Sequence, residues 1–187
     1  MRIVGGTCGG RVLKAPAGAA TRPTSEKVRE ALFGILGRLL GSIEGDHVLD
    51  LFAGSGAVGI EALSRGAGHA TFVDSAKSAL LAIRGNLAIL GLADRATVVP
   101  GDSLTTAARH VPPTPFRFVF IDPPYASDLA VRGALALPRA QLTADAIVAI
   151  EHDRRHVPPD ALGALRQADQ RRYGDTFLSF FTLAPPP

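Results

Sequence analysis

Asp122-Pro123-Pro124-Tyr125 follows the apolar run Phe116–Ile121. Two prolines in a row neither continue a helix nor donate to a sheet ladder, so a strand over 116–121 must stop there. What is left is a stiff turn with a carboxylate before it and an aromatic ring after it. That set of groups suits a flat molecule bearing an NH2. The Asp122 carboxylate and the Pro123 carbonyl can accept its two hydrogens, Pro124 stiffens the turn, and Tyr125 can stack on its plane. An amine conjugated to a ring is a poor nucleophile, because its lone pair is delocalised. Two acceptors draw the nitrogen towards a tetrahedral shape and free that pair. Positive charge then grows on the nitrogen as it attacks an alkyl donor, and a fixed carboxylate stabilises that state more than the ground state. Taken alone, the same four residues would also serve a tight turn over a buried tyrosine.

A second constellation runs from Asp50 to Gly59. Asp50-Leu51-Phe52-Ala53-Gly54-Ser55-Gly56 joins an apolar strand to a helix, and its glycines permit a tight turn with a ligand against the backbone. Gly54-Ser55-Gly56-Ala57-Val58-Gly59 matches the dinucleotide fingerprint, which by itself is weak. Asp74 ends the next strand, where a carboxylate can accept both hydroxyls of a ribose. Asp50 tilts the choice of ligand. A dinucleotide would bring a pyrophosphate beside this carboxylate and be repelled, whereas S-adenosylmethionine brings an ammonium and a sulfonium. Asp102, at the end of a third strand, is placed to accept from an adenine amino group, and Ser103 either caps the next helix or helps hold the ring. The expected cofactor contacts are therefore Asp50, Phe52, Ala53, Gly54, Gly56, Asp74, Asp102 and Ser103.

The elements that must position these groups alternate. Strands are expected at 47–51, 70–73, 96–99, 116–121 and 146–150, with helices near 57–64, 80–90, 103–110 and 128–136 between them. Strands separated by helices pair in parallel through right-handed crossovers. The tail turns at Gly174 between two strands with no helix, which implies an antiparallel edge. Ahead of this, Val28, Ala31, Leu32, Ile35, Leu36, Leu39 and Leu40 recur at helical spacing, predicting an amphipathic helix over 25–40 with Thr24 as its N-cap. Ile3–Gly6 and Arg11–Lys14 flank a glycine-rich turn and could pair as a hairpin. That turn predicts an arm that stays mobile until a partner orders it.

The 187 residues are 47% hydrophobic and 20% charged, which fits one domain with a short arm. No apolar run approaches a membrane span, the N-terminus lacks a secretory pattern, and the single Cys8 fits a reducing compartment. The five histidines lack metal-ligand spacing and read as surface or strand-edge residues. Residues 1–38 hold seven Lys/Arg and two acids, a net +5 against +3 for the whole chain, so everything after them is net negative. A basic arm on a near-neutral body suggests a polyanionic partner. The candidates for that contact are Arg2, Arg11, Lys14, Arg22, Thr24, Lys27 and Arg29.

Asp-Leu-Phe-Ala-Gly-Ser-Gly, Val73-Asp74, Gly101-Asp102 and Asp-Pro-Pro-Tyr together resemble the class I S-adenosylmethionine-dependent methyltransferases. Arg2-Ile-Val-Gly-Gly, Gly10-Arg11, Arg22-Pro23-Thr24, Val28-Arg29-Glu30-Ala-Leu-Phe33 and Tyr173-Gly174-Asp175-Thr176 narrow the likeness to the RsmD-type enzymes, across essentially the whole chain. The resemblance implies an α/β fold: a Rossmann-like, seven-stranded, mostly parallel sheet with an antiparallel last strand and helices on both faces. It divides the chain into an arm over 1–23 that contacts RNA and a methyltransferase domain over 24–187. It also implies methylation of guanine N2 in 16S ribosomal RNA, on an assembled or assembling small subunit; a cytoplasmic location is expected from Cys8, and a monomer because nothing in the sequence demands an oligomer. Departures are small: Asp74 stands where relatives often have Glu. Alternatives from the same residues are an adenine-N6 or protein-glutamine methylase and a non-catalytic ribosome assembly factor.

Overall fold

The computed structural model describes residues 1–17, 25–124 and 128–185. Arg22, Thr24 and Tyr125 therefore lie outside the described residues. The strands are β1 (His47–Leu51), β2 (His69–Asp74), β3 (Ala96–Pro100), β4 (Phe116–Ile121), β5 (Leu142–His152), β6 (Ala161–Leu162), β7 (Leu165–Tyr173) and β8 (Thr176–Leu183). They form one sheet in the order β3-β2-β1-β4-β5-β8-β7-β6. The first five pair in parallel, and β8 inserts antiparallel between β5 and β7. The expected Rossmann-like sheet is present, with one strand more than foreseen. The addition is β6, only two residues long, which no apolar periodicity could announce.

The helices are α1 (Glu26–Leu40), α2 (Ala57–Ser64), α3 (Lys77–Leu90), α4 (Ser103–Arg109) and α5 (Leu129–Ala136). α1, α2 and α3 pack on one face of the sheet, against Val48, Phe72, Phe118, Phe120 and Ala149. α4 and α5 pack on the other, against Leu49, Leu51, Val119, Ile121 and Val148. Neighbouring residues in a strand thus serve opposite cores, as the pleat requires. Val48 and Phe118 share a register on one side, Leu49 and Val119 on the other. Both sides are apolar because helices cover both. Among the described residues no helix is long and apolar enough to cross a membrane.

Two helix starts differ from the sequence reading. Ser25, not Thr24, caps α1, its hydroxyl accepting from the Val28 amide at 3.2 Å. Asp102, not Ser103, caps α4, accepting from the Thr105 amide at 2.8 Å. Either neighbour has cap chemistry, and only the chain's entry angle decides between them. Gly41 closes α1 and the left-handed Gly91 closes α3.

The N-terminal arm pairs at Arg2 and Val12, with Ile3 donating to the Arg11 carbonyl and Leu13 to that of Met1. Its described residues are docked, contrary to the expectation of a mobile arm. Ile3 and Leu13 are buried in the core under α1 and α2. Buried Glu61 of α2 accepts from the amides of Val4 and Gly5, both at 2.7 Å. The Arg29 guanidinium donates to the same carboxylate at 3.4 Å and to the Arg2 carbonyl, and Arg65 donates to it at 2.9 Å. Arg29 has no exposed surface, so it is an internal strut and is corrected as a candidate RNA contact. Asn86 of α3 pins the arm's other end, pairing with both the amide and the carbonyl of Lys14.

Removing one member of a buried ion pair leaves the other charged and unpaired, which costs about 3–5 kcal/mol. Glu61→Ala is expected to lower the unfolding free energy by that order, seen as a lower denaturant midpoint, and to expose residues 1–14 to proteolysis. An unchanged midpoint together with a protected arm would contradict the role assigned to Glu61.

Candidate active site

The carboxyl ends of β1, β2, β4 and β5 open on one cavity of about 900 Å³. The end of the arm, the start of α1 and the turn Tyr173–Thr176 between β7 and β8 complete its walls. Ligands in open parallel sheets sit at this edge, where the strands end and the helices begin.

The loop after β1 is held in an unusual shape. Phe52 has φ 63°, in the left-handed region that bulky residues rarely enter. The Ala53 amide donates to the Val73 carbonyl at 3.0 Å and the Gly54 amide to Asp74 Oδ2 at 2.8 Å. Gly54, at φ 55°, has open space where a Cβ would stand. Gly56 is the left-handed N-cap of α2, set behind the cavity wall. At Gly59 a Cβ would lie 2.3 Å from the Phe72 ring, so only glycine lets α2 approach this closely. That approach brings the Gly59 amide to Asp50 Oδ2 at 2.9 Å.

Asp50 is almost fully buried, and its carboxyl is pushed up from the ordinary value to about 7. Loss of water is the main cause; the Gly59 hydrogen bond opposes it and the charge of Asp74 adds to it. Asp74 also accepts from the Ala76 amide at 2.8 Å, so both its oxygens fix the loop. Each oxygen keeps a further lone pair for a ligand. Asp102 lies on the rim, held below the usual carboxylate range by the Thr105 hydrogen bonds, and Ser103 beside it is buried.

Asp122, Pro123 and Pro124 line this same cavity, as do Phe52, Ala53, Gly54, Asp50 and Asp74. The two constellations read from the sequence thus face one space. The third wall was missed. Glu151, His152, Asp153 and His156 line the cavity after β5, with Asp175 opposite on the tail turn. The signal was available, since Glu151 closes an apolar strand just as Asp50, Asp74 and Asp122 do. His152 is not a surface residue. It is buried, paired with the Asp153 carbonyl and the Ser179 hydroxyl, both at 2.8 Å, and stacked on Phe177. Its donation to a carbonyl fixes the neutral tautomer, and burial lowers its pKa. His47 is also internal, bonded to Thr71 and Thr114, with its pKa lowered to about 4 chiefly by burial.

Charge is sorted around this cavity. Asp50, Asp74, Asp102 and Asp122 are joined on its lining by Glu151, Asp153 and Asp175, and among the described residues no Lys or Arg lines it. The exposed cations lie just outside. Lys14 precedes the lining residue Ala15, Lys27 precedes Val28, and Arg154 and Arg155 fall between Asp153 and His156. Arg2 and Arg11 are exposed on the arm. A chain of net charge +3 therefore keeps an anionic cavity behind a cationic rim. Such a cavity fits a cationic ligand and repels a pyrophosphate.

A family model described as conserved hypothetical protein 95 matches residues 1–182. The chain belongs to this family. A Bacillus subtilis protein provisionally named the rRNA methyltransferase YlbH is 39% identical over 186 residues, spanning 97% of this chain and 98% of that protein. The ribosomal RNA small subunit methyltransferase D of Escherichia coli is 40% identical over 125 residues, or 67% of this chain and 60% of that one. The solved structure of an Escherichia coli protein, provisionally described as methyltransferase yhhF, superposes with a TM-score of 0.83 at 33% identity. It covers 98% of this chain and 97% of its own. By fold and relatives, this member of the conserved hypothetical protein 95 family is a methyltransferase of the S-adenosylmethionine-binding, Rossmann-like class.

A carboxyl group raised to about 7 holds its proton in the folded protein at pH values where the unfolded chain has lost it. Its effect on stability is therefore unfavourable as pH rises from about 4 to about 7. A bound cation favours the ionised form, so binding releases that proton. Affinity for S-adenosylmethionine is expected to rise with pH up to and through 7, and Asp50→Asn, which keeps the acceptor for Gly59, is expected to flatten the rise. Calorimetry in buffers of different ionisation enthalpy measures both affinity and proton release; equal pH profiles for the two proteins would refute the assignment.

Proposed function

We propose that this protein transfers a methyl group from S-adenosylmethionine to the exocyclic N2 of a guanine in 16S ribosomal RNA, carried in an assembled or assembling small subunit. The observation that carries the reading is that the Gly54 loop and the Asp122-Pro123-Pro124 turn share one carboxylate-lined cavity. The names of the relatives in Bacillus subtilis and Escherichia coli supply the RNA class.

The residues present fit this cofactor. At about 900 Å³ the cavity is near the top of the usual range of roughly 300–1,000 Å³ for ligand sites, which leaves room for a base beside the cofactor. Asp50 and the Gly54 loop would hold the amino-acid end, with Asp50 facing its ammonium, Asp74 the ribose, and Asp102 with Ser103 the adenine. When bound, S-adenosylmethionine supplies an electrophilic methyl group on its sulfonium. Asp122 and the Pro123 carbonyl accept from the target amine, reduce the delocalisation of its lone pair and offset the charge that grows on it. The released proton goes to Asp122, or to solvent after the transfer. Pro124 stiffens the turn, and Tyr125 follows it as the ring that stacks on the base. Most of the acceleration comes from fixing the two reactants in line.

The sorting of charge supports a reading in which the RNA backbone runs along the rim. Phosphates are attracted by Arg2, Arg11, Lys14 and Lys27, with Arg22 and Thr24 in the segment between arm and α1, and are kept out of the cavity by its carboxylates. The base enters and the backbone stays outside. The protein acts as a cytoplasmic monomer in this reading.

Nucleoside mass spectrometry of unmodified small-subunit particles, after incubation with enzyme and cofactor, is expected to show N2-methylguanosine. N6-methyladenosine would favour an adenine methylase, and tight particle binding without product an assembly factor. Asp122→Ala is expected to cut turnover about a hundredfold or more with cofactor affinity kept; full activity would sink the mechanism. Lys14→Glu combined with Lys27→Glu is expected to raise KM for particles and reduce the salt dependence of binding, leaving cofactor affinity alone. A salt slope identical to that of the unaltered protein would remove these two lysines from the interface.

A further inference from the structure

Asp122 is not the only carboxylate at the acceptor end. β4 and β5 are adjacent parallel strands, and Ile121 is in register with Ile150. The residues that follow, Asp122 and Glu151, are thus neighbours across two strand ends, at a strand spacing of about 4.8 Å. Ile121 and Ile150 point into the core that holds Leu49 and Val119. The pleat turns the next residue of each strand to the opposite face, that of Asp50 and Phe120, and both Asp122 and Glu151 line the cavity there, half-buried. Nothing in the methyl-transfer reading uses Glu151.

Two carboxylates side by side are a receptor for two hydrogen-bond donors side by side. Each carboxylate carries about four acceptor sites, so either can take a base hydrogen in addition to partners within the protein. Among bases with an exocyclic amine, guanine alone presents two adjacent donors on its pairing edge, N1–H and N2–H2. Adenine and cytosine present an amine beside an unprotonated ring nitrogen, whose lone pair would face a carboxylate and be repelled. Resting on the function proposed above, we infer that Glu151 accepts from guanine N1–H while Asp122 holds N2, and that Glu151 thereby sets the choice of guanine over adenine.

The inference can be separated from the parent reading with a base analogue. 2-Aminopurine keeps the N2 amine but has a bare N1. Particles reconstituted with guanine or 2-aminopurine at the target position are assayed with the full-length protein. The unaltered enzyme is expected to make N2-methylguanosine and to prefer guanine about ten- to a hundredfold in kcat/KM, the usual worth of one such base contact. Glu151→Gln offers either an acceptor or a donor at the same place, so the preference is expected to fall several-fold or more while affinity for S-adenosylmethionine stays constant. Glu151→Ala, which removes the contact altogether, is expected to lower the preference too, and provides a second variant should the amide disturb folding. A merely structural role would reduce both substrates alike. An unchanged preference in the variants would overturn the inference and leave the function standing. Production of N6-methyladenosine by the unaltered enzyme would overturn both.

Discussion

Parallel pairing in register is the constraint from which the rest of this molecule follows. Five strands from β3 to β5 run the same way, and their carboxyl ends form one edge. The middle of the sheet is largely apolar, because helices cover both faces, and acids gather where the strands leave it. Any side chain placed at or just beyond these carboxyl ends therefore meets its counterparts from the neighbouring strands. Asp50, Asp74, Asp122 and Glu151 come together for this reason and no other, across stretches of chain that share no local contact.

Concentrating carboxylates in this way is costly without a cation, and the cost is visible at Asp50. Burial and the nearby Asp74 raise its carboxyl to about 7 even with the Gly59 hydrogen bond in place. The same packing creates that bond and excludes water: α2 can sit against Phe72 only because position 59 is glycine. The opposite charge of the chain is held outside. Exposed lysines and arginines flank the cavity wall instead of lining it, so attraction for a polyanion and affinity for a cation act at different places on one surface.

The arm is part of this arrangement through Glu61. One buried carboxylate of α2, the helix that carries the Asp50 contact, holds the backbone of residues 4 and 5, the strut Arg29 and the helix's own C-cap residue Arg65. Met1, Ala15 and Pro16 consequently form cavity wall. A glycine-rich segment that looks loose as a sequence is anchored from both ends, by Glu61 and by Asn86.

Much of this was legible without coordinates. Alternating apolar runs and glycine-bounded helices gave the sheet and its parallel core, since periodicity follows directly from the pleat and the helical repeat. An acid closing each of four strands, at Asp50, Asp74, Asp102 and Asp122, marked the ligand edge, because the physics of strand ends is local. The same signal at Glu151 went unused. What only the tertiary structure decided is set by partners far away in sequence. Arg29 carries the same charge as Lys27 two residues away, yet it is buried because Glu61, thirty-two residues on, reaches it. Phe52 takes a backbone shape normally left to glycine because Ala53 and Gly54 are pulled onto Val73 and Asp74. The adjacency of Asp122 and Glu151 depends on a register between strands, which no single segment contains. Composition and spacing determine which groups a chain offers; long-range packing determines which of them meet.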